Sequence, residues 1–189
     1  MKREPRKPWA REGAYTRIDV NATEVEVTRF VADLVRLLAP EVVVETGTYQ
    51  GDTAVAIAGA LWINAERGVP GHLHTFEVDR DRHETASARL LGDTVTPYCH
   101  PVTDWTPPAP ITLAFIDGGD GDARLHDIAH LHPHMKPGGI MLLHDTMFAV
   151  ARKRWRPWLR ERGYDLVTLP TPRGITIIQH PDWDVPVGT

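Results

Sequence analysis

Residues 42–54 read VVVETGTYQGDTA, and this stretch decides the architecture. Val42, Val43 and Val44 form a β-branched run with no polar alternation, the pattern of a strand buried on both faces of a sheet. The run ends on Glu45, Gly47 and Gly51 punctuate the following loop, and Asp52 opens a helical pattern that reaches Glu66. A buried strand that feeds a helix through a glycine-bearing loop is the first half of a β-α-β unit. In open α/β sheets ligands gather outside the carboxyl ends of the strands, so the residues ending each strand are the ones to inspect.

Upstream, Asn21 followed by Glu24 resembles a capping box, and apolar residues recur at Val27, Phe30, Val31, Leu34, Val35 and Leu38. The spacing predicts an amphipathic helix from Ala22 to about Leu38, stopped by Pro40. Downstream, strands are expected at Leu73–Glu77, Val95–Cys99, Ile111–Ile116 and Ile140–Leu143. Helices are expected at Arg80–Leu91, near Ala123–Leu131, and through Trp155 and Trp158. After Gly163 the rhythm changes: Tyr164–Leu169 and Gly174–Gln179 are two strands joined by the short segment PTPR, which suits an antiparallel hairpin.

A chain of 189 residues, 42% hydrophobic and 24% charged, suits one compact α/β domain. Residues 21–189 are read as that domain, with residues 1–20 a partly flexible extension. A net charge of -4 gives no general attraction for nucleic acid or an anionic membrane. The start MKREPRKPW has no apolar signal region, and no run approaches the roughly 18 apolar residues of a membrane span. Cys99 is the only cysteine, which excludes an internal disulfide and suits the reducing cytoplasm.

The strand ends carry the chemistry. A dinucleotide site would want GxGxxG and a helix start free of negative charge, whereas this loop has two glycines flanked by Glu45 and Asp52. Those acids would repel a pyrophosphate and attract a cationic ligand such as the sulfonium and ammonium of S-adenosylmethionine. Asp52 reads equally well as a helix cap. HLHTFEVD delivers Glu77, an acid able to accept from both hydroxyls of an adenosyl ribose, and HPVTDW offers Asp104 for an adenine amino group with Trp105 beside it. ITLAFIDGGDGD delivers Asp117, and GGIMLLHDT delivers His144 and Asp145 to the neighbouring edge position. Two carboxylates on adjacent strand ends make a seat for a hard divalent cation, which would lower the pKa of a bound hydroxyl.

Taken together, ETGTYQG, TFEVD, FIDGGD and MKPGGIMLLHD resemble the signatures of class I S-adenosylmethionine-dependent methyltransferases. Within them the chain is most similar to the metal-dependent small-molecule O-methyltransferases of the cephalosporin hydroxylase and macrocin type, over about residues 22–180. The resemblance implies a Rossmann-like, seven-stranded, mostly parallel sheet of order 3-2-1-4-5-7-6 with a C-terminal antiparallel hairpin. It implies transfer of a methyl group to a hydroxyl of a small molecule, with secondary metabolism as a setting. Glu45, Gly47 and Gly51 would line the methionine end, Glu77 would hold the ribose and Asp104 would sit near the adenine, with Thr48, Tyr49, Val78 and Thr103 as further cofactor-binding residues. Asp117 would adjoin the cofactor and, with His144 and Asp145, bind a divalent metal such as Mg.

Two departures from the family pattern stand out. Asp120 occupies the place of a histidine base, and His144 or Thr146 that of a second acid or amide beside the last metal ligand. Asp117, Asp120 and His144 are the expected catalytic residues, with Trp9, Tyr15 and Tyr49 shaping the acceptor pocket and a homodimer left open. The histidines of LHDIAHLHPH fall on a covering helix and are read as solvated rather than zinc-binding. Metal-independent N- or carboxyl-methylation, other use of the same cofactor, and a degenerate adenosyl-binding module are the alternatives.

Overall fold

A computed structural model describes residues 15–16, 18–19, 21–119, 121–149 and 151–179, with only the main chain of Arg152. Trp9 and Asp120 lie outside the described residues. The elements are α1 (Val25–Leu38), β1 (Val42–Thr46), α2 (Asp52–Glu66), β2 (His72–Phe76), α3 (Arg80–Ser87), β3 (Val95–Tyr98) and β4 (Ile111–Ile116). There follow α4 (Gly121–Leu131), β5 (Met135–His144), α5 (Arg156–Glu161), β6 (Asp165–Leu169) and β7 (Ile175–Gln179).

One seven-stranded sheet has the order β3-β2-β1-β4-β5-β7-β6, as expected. The first five strands pair in parallel, and β7 runs antiparallel to both β5 and β6. Successive residues of the central strands serve opposite faces. Val43, Leu113, Phe115 and Leu142 join α1 and α2 in one core, while Val44, Ala114, Ile116, Met141 and Leu143 join Ile128, Leu131 and Leu159 in the other. The registers Thr46↔Phe76, Thr46↔Ile116 and Ile116↔Leu143 bring the ends of β2, β1, β4 and β5 level. The chain reverses its winding between β1 and β4, so the crevice opens there.

Three local expectations need correction. The first helix begins at Val25, not Ala22: Asn21 is no cap, and Asp19 accepts from the amides of Asn21 (2.7 Å) and Ala22 (2.8 Å). Glu24 is the residue before the helix, but its side chain makes no capping bond and turns inward. α3 ends at Ser87, leaving Leu91 exposed, because no apolar stripe holds its last turn. β5 begins at Met135 rather than Ile140, since KPGG is absorbed as an irregularity in the β4–β5 register between Ile111 and Leu113. Trp155 is buried as read, with its indole N–H donating to the Gly121 carbonyl at 3.0 Å.

Candidate active site

A cleft of about 660 Å³ lies over the β1–β4 divide, bordered by the loops after β1, β2, β3, β4 and β5 and by the turn before β7. Gly47 makes its floor possible. At φ 81°, its backbone passes so close to the loop after β4 that an added Cβ would sit 2.6 Å from Gly118 Cα. The Gly47 amide donates to Phe76 O at 2.9 Å, and the Asp117 amide to Thr46 O at 3.1 Å, which fixes the two loops to the strand tips.

On the β1–β2 side, Glu77 borders the cleft. One of its oxygens accepts from the Tyr49 amide at 2.8 Å and the other from the Asp79 amide at 3.0 Å, leaving further lone pairs on each. Thr48, Tyr49 and Val78 also border the cleft, and the Tyr49 hydroxyl donates to Asp19 at 3.0 Å. Asp52 does too, paired with Arg89 at 2.7 Å, while Gly51 turns the chain into α2 at φ 87°. Glu45 is not at the surface of the cleft. Its carboxyl is buried beneath it and accepts from the Thr75 hydroxyl, its register partner on β2. Burial pushes this group up to about 8, with the charges of Asp117 and Glu77 adding to the effect, so it is protonated at neutral pH.

The loop after β3 departs from expectation. His100, Pro101 and Val102 border the cleft, whereas Thr103 and Asp104 are exposed and stand outside it. Trp105 packs away from the cleft among His74, Phe76 and Tyr98, because the short helical turn Val102–Asp104 redirects the chain. A cleft-lining acid unforeseen from sequence, Asp127 on α4, is pushed up to about 6 by burial, against the opposing influence of Thr46 and Arg124.

The β4–β5 side is an ion cluster. His144 is 0% exposed and lies between two acids, with Nδ1 2.9 Å from Asp117 and Nε2 2.8 Å from Glu24. Burial alone would lower its pKa, but Asp117 and Glu24 hold it up at about 9, so the imidazole is cationic at neutral pH. Burial would likewise raise Asp117, yet the charge and hydrogen bond of His144, with Arg124 and the Thr23 hydroxyl, hold it below its usual value. Thr23 donates to Asp117 at 2.7 Å. Arg124, reaching up from α4, donates to the carbonyls of Gly118 (3.0 Å), Asp117 (2.8 Å) and His144 (2.8 Å), and approaches Asp117 and Asp145 at 3.4 Å. Arg173, from the turn before β7, forks onto Asp145 at 2.5 and 2.8 Å. Asp117, His144 and Asp145 are thus brought together as expected, each with a ligand-type atom within 4.8 Å of the others. Glu24, Arg124 and Arg173 were not anticipated. Only Glu24 left a trace, as the presumed capping acid, and the two arginines lie in segments without a motif.

The histidines of α4 and the turn after it form no metal cluster among the described residues: His130 meets the Trp105 carbonyl at 2.9 Å, and His132 meets the Tyr164 hydroxyl. Among the described residues no helix is long and apolar enough to cross a membrane.

No curated protein matches the chain in sequence. Solved structures do match it in fold. TomG from Streptomyces achromogenes, an O-methyltransferase involved in tomaymycin synthesis and solved with S-adenosylmethionine, is 19% identical, with a TM-score of 0.68 over 84% of this chain and 81% of its own. Cofactor-bound Rv0187 from MTB is 18% identical, with a TM-score of 0.74 over 89% and 84%. An rRNA methylase from Streptococcus thermophilus is 14% identical, with a TM-score of 0.61 over 80% and 94%. At such identities the likeness is one of fold, and that fold serves acceptors of different classes. A family model described as a methyltransferase domain matches residues 44–146, the segment from β1 to the tip of β5 that builds both sides of the cleft. With more than half its length matched, this chain belongs to the methyltransferase domain family.

Proposed function

We propose that this protein is an S-adenosylmethionine-dependent methyltransferase that transfers a methyl group to a hydroxyl of a small molecule. The observation that carries the reading is Glu77. It is an acid at the tip of β2, held by two main-chain amides, with lone pairs still available toward a cleft large enough for an adenosyl ligand. Beside it the Gly47 main chain packs against Gly118 too tightly for any Cβ, which fixes the floor on which a ligand would sit. When bound, the cofactor supplies an electrophilic methyl on a sulfonium, to be taken in line by an acceptor oxygen.

In this reading Glu77 accepts from the ribose hydroxyls, and the main chain of residues 47–49 borders the methionine end. Glu45 beneath them stabilises the strand pair rather than touching the ligand. Asp117 orients the loop that faces the acceptor. His144 carries its proton between two carboxylates and so orients Asp117 rather than acting as a base. We read residues 21–189 as one domain working in the cytoplasm on a small-molecule acceptor, without nucleic acid or membrane.

A divalent cation is the remaining expected group, and the donor set does not fit it. The oxygens of Asp117 and Asp145 already accept from protein donors and both His144 nitrogens already face carboxylates, so no step is assigned to a metal. The test is calorimetry with S-adenosylmethionine, followed by a mass-spectrometric screen for methylated products over hydroxylated small molecules, with amines and acids as comparison. Micromolar binding and a product 14 mass units heavier, about one methyl for one hydrogen, are expected. Absence of binding at millimolar cofactor overturns the reading.

A further inference from the structure

We infer that the Arg173 guanidinium, clamped on both oxygens of Asp145 while Arg124 bridges Asp145 to Asp117, takes the place a divalent cation would need, making this a site that works without metal. The inference rests on the proposed methyl transfer for its meaning, but not for its test. Asp117, His144 and Asp145 cluster tightly enough for an ion, with ligand-type atoms within 4.8 Å of one another. What decides against one is how those atoms are used.

Both oxygens of Asp145 face Arg173, at 2.5 Å from Nε and 2.8 Å from Nη2, in the parallel fork by which arginine binds a carboxylate. Asp117 gives one oxygen to the Thr23 hydroxyl at 2.7 Å and the other to His144 at 2.9 Å. His144 has a carboxylate oxygen at each ring nitrogen, 2.9 Å from Nδ1 and 2.8 Å from Nε2, so both nitrogens are already engaged within the protein. Arg124 also lies 3.4 Å from both Asp117 and Asp145, so each of these carboxylates already has a fixed guanidinium beside it. A dication entering here would sit within contact distance of a guanidinium and would have to displace it from the carboxylates.

Nor is Arg173 a surface side chain that happens to fold over. The main chain places it: one and two residues beyond Asp145, the Thr146 amide donates to Gly174 O at 3.2 Å and the Met147 amide to Arg173 O at 2.9 Å. Gly174, at φ 83°, lies so close to this strand that a Cβ would fall 2.7 Å from the Met147 nitrogen. Arg173 Nη1 then donates to Ala22 O at 2.9 Å, tying the lead-in to α1 into the same cluster. The β6–β7 hairpin is therefore braced against the end of β5 in a position that brings the Arg173 charge to Asp145. Arg173 and Arg124 both border the cleft.

The test is calorimetric titration of the full chain with Mn²⁺, with and without S-adenosylmethionine, beside turnover in a chelator. The wild-type protein is expected to show no saturable Mn²⁺ site at millimolar concentration and turnover within twofold in excess chelator. Arg173→Ala keeps all three acids, and is expected to gain a Mn²⁺ site at least tenfold tighter than any in wild type, while Arg173→Lys gains none. One Mn²⁺ bound per wild-type chain and lost in Asp145→Asn overturns the inference, and so does a folded Arg173→Ala that gains nothing. If Arg173→Ala does not fold, the wild-type titration and the chelator result decide alone. Failure of the cofactor to bind in the same experiments would count against the methyltransferase reading, leaving the Mn²⁺ result standing.

Discussion

The two sides of the cleft are built on opposite principles. The β1–β2 side is held by main chain: Gly47, Tyr49 and Asp79 spend their amides on a carbonyl and on one carboxylate, and the second acid, Glu45, is neutral beneath the floor. The β4–β5 side is held by charge, through side chains from residues 24, 117, 124, 144, 145 and 173. Main-chain seating tolerates changes that spare the glycines and the acid, because few side chains take part. A balanced cluster of buried charges is different, since removing any member strands a partner out of water.

Asp117→Ala should therefore be the most damaging single change, taking from His144 and Arg124 one of the two carboxylates each of them faces and lowering stability by about 3–5 kcal/mol in urea unfolding. A loss under about 1 kcal/mol would mean that hydrophobic packing, not charge, holds this edge. Glu77→Ala probes the other side. Two amides lose their acceptor, at about 1–3 kcal/mol, and cofactor affinity in calorimetry should fall by more than about a hundredfold, or two decades at 1.4 kcal/mol each. Full affinity in that variant would remove the ribose assignment.

The pH dependence separates the sides further. His144, raised to about 9, contributes fully below its unfolded value of 6.5 and loses that contribution as pH rises through about 9. Glu45, raised to about 8, keeps its proton in the folded protein where the unfolded chain has released it, so its effect is also a loss of stability, from pH 4.5 up to about 8. Each slope is at most about 1.4 kcal/mol per pH unit. Glu45→Gln should flatten the melting-temperature curve in the lower part of this range and His144→Gln in the upper part. The same flattening from both variants would show the two sides to be coupled.

Asp104→Ala should do least, within about 0.5 kcal/mol in stability and with unchanged cofactor affinity, since the residue is exposed outside the cleft. A tenfold loss of affinity would restore it as an adenine contact.

The sequence made the β1–β2 side legible because its signals are local. A β-branched run, two glycines and an acid at the next strand end lie within short spans, and each has one conformational meaning. Sheet order was legible as well, once the strands and the changed rhythm after Gly163 were placed. Glu24 was misread for the same reason that makes local reading work: at three residues from Asn21 it fits a capping box, and nothing nearby reveals a partner 120 positions away. Asp104 was misplaced because a single helical turn, invisible to periodicity, turns the loop off the cleft.

What the amino-acid sequence determined by itself is the alternation of strand and helix and the acids that close each strand, since both follow from periodicity and backbone preference over neighbouring residues. Only the tertiary structure decided which cations answer those acids. Arg124 and Arg173 meet Asp117 and Asp145 through strand register and a braced hairpin turn, and pairing over such separations depends on where the folded backbone carries each side chain.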